Sequence, residues 1–136
     1  MVWEFSNDRT IASQIVESIQ KGILSGHYPP GSDIPSVRVL ALEAGVNPNT
    51  MQKALADLET QGLLQTQRTI GRKVTTDQDL IKKLKEQLAA ELIQEYFVEM
   101  EHLGIARERA IEMLIASRDA TPAADSGLLS KPSEVN

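Results

Sequence analysis

Hydrophobic positions near the start of the chain recur every four residues: Ile11, Ile15, Ile19 and Ile23, with Val16 and Leu24 on neighbouring rows. That period predicts an amphipathic helix, with Asp8 or Thr10 placed to cap its start and Gly26 near its end. The next stretch, HYPPGSDIPS, carries three prolines and a glycine, which exclude a helix and mark an ordered turn. Ser36 then stands where an N-cap belongs, and Val37, Leu40 and Ala41 predict a short second helix. It stops at Gly45, a residue suited to the left-handed position past a helix end. Asn47 caps a third helix with Pro48 at its first position, where a missing N–H costs nothing. Met51, Leu55 and Leu58 form its inward stripe and Gly62 ends it. Two glycine-terminated helices across a tight turn make a helix-turn-helix.

Beyond it the period changes twice. LLQTQ and RKVTT are short β-prone runs around a turn containing Gly71, and predict a hairpin, or wing. From Asp79, the residues Ile81, Leu84, Leu88, Leu92, Tyr96, Met100 and Leu103 recur every three or four positions, with Lys82, Lys83, Glu91, Glu95 and Glu99 on other faces. This predicts one long amphipathic helix of about six turns. Gly104 breaks it, and Ile105, Ala110, Ile111, Leu114 and Ile115 predict a shorter helix ending near Ser117. The expected fold is mostly α with a small β-wing: a winged helix-turn-helix over residues 1–77, then a two-helix dimerisation module over residues 78–118. Residues 119–136 are polar, proline-containing and aperiodic, and are expected to be a disordered tail.

Composition narrows the possibilities. A chain of 136 residues has room for one ordinary domain, or a small one with an appendage. With two Phe, two Tyr and one Trp, its core must be aliphatic. Cysteine is absent, which removes disulfides, thiolate metal sites and thiol nucleophiles. His27 and His102 are isolated, without a partner at metal-ligand spacing, so neither a metal nor a cofactor is expected. No signal peptide or membrane span is legible, and a cytoplasmic protein without a membrane partner is expected. The net charge of −5 speaks at first against nucleic acid. Its distribution weakens the objection: residues 1–77 hold seven Lys/Arg against eight Asp/Glu, and residues 78–136 hold seven against eleven.

The run PPGSDIPSVRVLALEAGVNPNTMQKALADLETQGLL resembles the helix-turn-helix region of GntR-family regulators. The family pattern is carried by Pro30-Gly31, by Pro35-Ser36-Val37-Arg38-Val39-Leu40-Ala41, by Gly45-Val46, and by Leu58-Glu59-Thr60-Gln61-Gly62-Leu63. The resemblance covers residues 11–74 and implies a DNA-binding regulator of transcription. In such a module the third helix enters the major groove with its N-terminal residues at base edges. Asn47, Asn49, Thr50, Gln52 and Lys53 occupy that leading edge. Asn49 and Gln52 could each pair with adenine, and Lys53 with phosphate or guanine.

Ser36 and Arg38 stand at the start of the second helix, and the resemblance implies that Arg38 reaches DNA; an ion pair with Glu43 is its alternative. The wing offers Arg68, Thr69, Gly71, Arg72 and Lys73, with cations expected over the backbone or minor groove. Two departures stand out. Pro48 and Gln52 occupy the region where many members carry a basic residue. The usual Gly-x-Gly-x-Phe-Val of the wing reads Thr69-Ile70-Gly71-Arg72-Lys73-Val74, lacking one glycine and the aromatic.

Only about forty helical residues follow the reader, too few to enclose a ligand within one copy. An apolar stripe must still be buried, and pairing with the same stripe on a second copy makes a two-fold homodimer suited to a palindromic operator. The expected interface is Leu84, Leu88, Leu92, Tyr96, Phe97, Met100, Ile111, Leu114 and Ile115, whereas Leu80 and Ile81 are expected to pack on the reader. The two-helix arrangement is similar to that of the YtrA subfamily, whose members are often repressors of transporter operons. A small-molecule effector of unknown identity is left open. The runner-up reading is a winged-helix protein-interaction module without specific DNA binding. An enzyme is not expected, because no nucleophile-base constellation, metal cluster or phosphate loop is legible.

Overall fold

The computed structural model describes residues 1–67 and 71–119. Arg68 and Thr69, and the expected tail beyond Asp119, lie outside the described residues. The element order is α1 (Ile11–Leu24), α2 (Val37–Ala44), α3 (Pro48–Thr60), β1 (Leu64–Gln67), β2 (Gly71–Val74), α4 (Gln78–His102) and α5 (Arg107–Ser117). The chain forms two compact units that divide inside α4, Met1–Leu88 and the residues from Ala89 onward.

In the first unit, α1 begins at Thr10, whose hydroxyl accepts the Ser13 N–H at 3.1 Å. Its i+4 ladder of Ile15, Ile19 and Ile23 is buried against Met51, Ala54, Leu55 and Leu58 of α3. Leu40 and Ala41 from α2, together with Leu63, Leu64 and Val74, complete an aliphatic core. Each fully buried Leu or Ile there contributes roughly 1.5–3 kcal/mol. Both helices of the helix-turn-helix close through left-handed glycines. At Gly45 (φ 70°) the Val46 N–H donates to the Ala41 carbonyl at 3.0 Å. At Gly62 (φ 85°) the Leu63 N–H donates to the Leu58 carbonyl at 3.1 Å. These six-to-one bonds satisfy carbonyls that a helix end otherwise leaves open, and they turn the chain sharply enough for the next element to return to the core.

Two segments outside the helical periodicity also contribute to the first unit. Ahead of α1, Trp3 and Phe5 pack against the core. Buried Gln14 ties that segment down, accepting the Ser6 N–H at 2.7 Å and donating to the Ser6 and Arg9 carbonyls at 2.9 and 3.0 Å. The proline-rich turn runs beside β2 as a third edge: the Val74 N–H donates to Ser32 at 2.8 Å and the Ile34 N–H to Arg72 at 3.0 Å. Its Tyr28 ring lies over Gly22 of α1, and burial, aided by the charge of Glu43, raises the phenol pKa above the usual tyrosine range.

α4 is capped by Asp77, whose carboxylate accepts the Leu80 N–H at 3.0 Å. Its first turns complete the first unit: Ile81 is buried, and Leu80 and Leu84 pack on the core. Leu84, expected at a dimer interface, is thus engaged by its own copy. The reason is spacing: Leu84 stands one turn from Leu80 on the same helical row, close enough to reach the same core. In the second unit α4 ends at Gly104 with the Ile105 N–H bonded to the Met100 carbonyl at 2.9 Å. α5 then returns onto α4. Phe97 is buried with Ala110, and the Arg107 guanidinium stands 4.2 Å from the Phe97 ring centre. The Tyr96 hydroxyl donates to the Ala110 carbonyl at 2.8 Å. Phe97 and Tyr96 therefore hold the two helices of one copy together, a role that the single-helix periodicity could not reveal.

The Gly22 contact sets packing against propensity. Alanine is favoured over glycine inside a helix by about 1 kcal/mol, but a Cβ at Gly22 would stand 2.8 Å from the Tyr28 ring. Gly22→Ala is expected to lower stability by about 1–3 kcal/mol through overpacking, read as a reduced Tm. An unchanged or raised Tm would show that the ring moves aside freely.

Candidate nucleic-acid interface

The surface of α3 opposite its buried stripe follows from the 3.6-residue period. With Met51, Ala54, Leu55 and Leu58 inside, Asn49, Gln52 and Lys53 are exposed and Thr50 is half-buried. These four span about 6 Å of helix axis, short enough for successive residues to address neighbouring base steps. Farther along, the outer face turns to Ala56 and Asp57, so its hydrogen-bonding capacity toward DNA is concentrated in the first turns. Asn47 is occupied in part as the N-cap, where its Oδ1 accepts the Asn49 N–H at 2.7 Å. Its side-chain NH2 still faces solvent as a donor. Ser36 likewise caps α2 by accepting the Val39 N–H at 3.2 Å.

Arg38 is exposed on the first turn of α2, and among the described residues it forms no ion pair; the alternative partner Glu43 is not engaged with it. Beside it Val39 and Leu42 are exposed, Leu42 at 85%. These apolar side chains on the outer face of the helix-turn-helix were not singled out by periodicity, because Leu42 lies off the inward stripe of Val37, Leu40 and Ala41.

In the wing, Arg72 and Lys73 depart from expectation in direction. Its register pairs Leu64 with Val74 and Thr66 with Arg72. Arg72 therefore shares the face of buried Val74, since alternate residues of a strand point the same way. Its side chain is 14% exposed, with Nε 3.5 Å from Glu59 Oε2 at the end of α3. That distance is an ionic contact and not a hydrogen bond, and the buried Nε has no hydrogen-bond partner. Lys73, on the other face, bonds Asp33 at 2.9 Å across a β-bridge. Gly71 (φ 89°) starts β2 in an exposed position. Glu59 and Asp33 were not expected at the site. The two-residue period running back from Val74 was the signal that could have identified Arg72 as inward-pointing.

Among the described residues, several cations of the reader are engaged by carboxylates. Arg9 pairs with Glu17 at 3.3 Å, and Arg72 and Lys73 both face carboxylates, which leaves Arg38 and Lys53 as the exposed cations nearest the leading edge of α3. Among the described residues no group of His, Asp and Glu is arranged to hold a metal, and no helix is long and apolar enough to cross a membrane.

A capped helix pair with a tight turn, a polar leading edge and a hairpin following directly define a winged helix-turn-helix reader of DNA. Over residues 11–74 the sequence matches the family described as "Bacterial regulatory proteins, gntR family". It is 36% identical over 101 residues to the HTH-type transcriptional repressor YtrA of Bacillus subtilis (strain 168), covering 68% of this chain and 78% of that one. It is 29% identical over 109 residues to YhcF, an HTH-type transcriptional regulator of the same organism, covering 80% of this chain and 90% of that one. A solved structure, a GntR family transcriptional regulator from Listeria monocytogenes, shares 36% identity at a TM-score of 0.76, covering 82% of this chain and 98% of that one. The chain belongs to the GntR family, and it is a DNA-binding transcription regulator, not an enzyme.

Arg38→Ala is expected to weaken binding to a selected duplex by about 1–3 kcal/mol, the range for an arginine that reads a base. Its Tm should be unchanged, because the side chain is exposed. Fluorescence anisotropy beside a thermal melt checks both; unaltered affinity would remove Arg38 from the reader.

Proposed function

We propose that the protein is a transcriptional repressor that reads a palindromic operator as a homodimer, with the second unit supplying the contact between copies. The observation that carries this reading is the apolar surface the second unit leaves open. Leu92 is 62% exposed, Leu103 74% and Ile115 54%, with Ile111 and Leu114 also exposed, whereas Phe97 and Ala110 are its only buried side chains among the described residues. Two helices with so small a core are an incomplete fold, and this many exposed large apolar side chains on them call for a covering partner. A second copy offers the same surface by symmetry, and a two-fold pair of readers matches a two-fold operator.

Of the expected interface residues, Leu92, Ile111, Leu114 and Ile115 form the contact in this reading, with half-buried Met100 at its margin. Asn49, Thr50, Gln52 and Lys53 contact bases and nearby phosphates, with Asn47, Ser36 and Arg38 beside them. Repression is supported by the YtrA relative, whose name states that activity for that protein. An effector that releases the operator would bind between copies and act by changing their pairing. A regulator of this kind meets its operator in the cytoplasm.

Leu92→Glu tests the pairing without disturbing the protomer, since the side chain is mostly in solvent in a single copy. A charge buried in the contact without a partner is strongly destabilising, by about 3–5 kcal/mol. Sedimentation is expected to show a shift from dimer to monomer, together with loss of binding to a palindromic duplex. A dimer that survives the substitution would put the interface elsewhere.

A further inference from the structure

We propose that Arg72 is a positioning residue that holds the wing against the recognition helix through Glu59, and that it does not itself contact DNA. The inference rests on the family's DNA-reading function and deepens it. β1 and β2 have four residues each, and the backbone bonds of Val74 to Ser32 and of Ile34 to Arg72 support β2 along its open edge without tying the hairpin to α3. Its apolar attachment is the Leu64 and Val74 pair at the end nearest the core. Toward the tip, the register leaves Thr66 opposite Arg72, with Thr66 exposed. There Arg72 reaches back on the inner face to Glu59, on the last turn of α3.

Two ion pairs bracket β2, Arg72 with Glu59 on the inner face and Lys73 with Asp33 on the outer. They differ in weight. Asp33 is 58% exposed, and a solvated pair of that kind contributes little. Arg72 and Glu59 are 14% and 24% exposed, so each charge depends on the other. Withdrawing Arg72 to reach a phosphate would leave the Glu59 carboxylate without its counter-charge beside a polyanion. The geometry thus sets the angle between the base-reading helix and the wing.

The test uses the full chain and the duplex it enriches from a random pool, with affinity measured by anisotropy over a range of salt. Glu59→Gln is the decisive variant, being isosteric and removing a negative charge near DNA. If Arg72 positions the wing, Glu59→Gln and Arg72→Gln each weaken binding by about three- to tenfold. The double variant is then no weaker than either single one, and the salt slope is unchanged. The exchanged pair Glu59→Arg with Arg72→Glu recovers part of the loss. If Arg72 contacts phosphate, Glu59→Gln binds as well as or better than the parent, and Arg72→Gln lowers the salt slope by about one per reader. That result, additive losses, or parent-like affinity in both single variants would overturn the proposal. Melting curves exclude unfolding, and should Arg72→Gln fail to fold, Glu59→Gln alone decides. Failure of the parent protein to enrich any duplex would contradict the DNA-reading premise itself, and the positioning role with it.

Discussion

The buried stripe of α3 carries two obligations at once. Met51, Ala54, Leu55 and Leu58 are the centre of the core, seated on the isoleucine ladder of α1 and on Leu40 of α2. The opposite side of the same helix presents Asn49, Gln52 and Lys53 to solvent. Because a helix is stiff over a few turns and its core face is close-packed, fixing one face by packing fixes the direction of the other. The other parts of the reader serve that arrangement. Gly45 and Gly62 turn the chain at either end of it, Asn47 and Pro48 start it without open N–H groups, and Gln20 on α1 bonds Gln61 just past its last turn at 2.6 Å.

Much of this was legible in the sequence, because each signal was local. Isoleucines at i+4 spacing, Ser36 and Asn47 as caps, Pro48 at a first helical position and Gly45 and Gly62 as terminators all act within one turn of their own residue. What was not legible depended on where distant segments meet. Glu59 and Arg72 are apart in sequence and become partners through the hairpin register. Asp33, in a proline-rich turn, becomes the neighbour of Lys73 because that turn lies along β2. Gln14 is a polar residue beside the isoleucine ladder, and it is buried since Ser6 and Arg9 return to satisfy it.

The stripe of α4 illustrates a different limit. Its period is continuous from Ile81 to Leu103, and a continuous stripe suggests a single partner. The structure divides it three ways. Leu80, Ile81 and Leu84 complete the first core, Tyr96 and Phe97 fasten α5, and Leu92 and Leu103 remain in solvent. Periodicity reports that a face is to be buried and is silent on what covers it. The same applies to charge. Counting cations over residues 1–77 treats Arg72 and Lys73 like Arg38, although the first two face carboxylates and the last faces solvent.

If the leading edge of α3 is presented twice by a symmetric pair, the protein must read a defined, repeated base sequence. Selection of bound fragments from a random duplex pool, repeated at two salt concentrations, tests this most directly. The prediction is a two-fold-symmetric site whose half-sites are rich in bases matched by amide side chains, bound with salt-dependent affinity. Enrichment of no sequence by protein shown to be folded, or of a single unrepeated half-site, would contradict it.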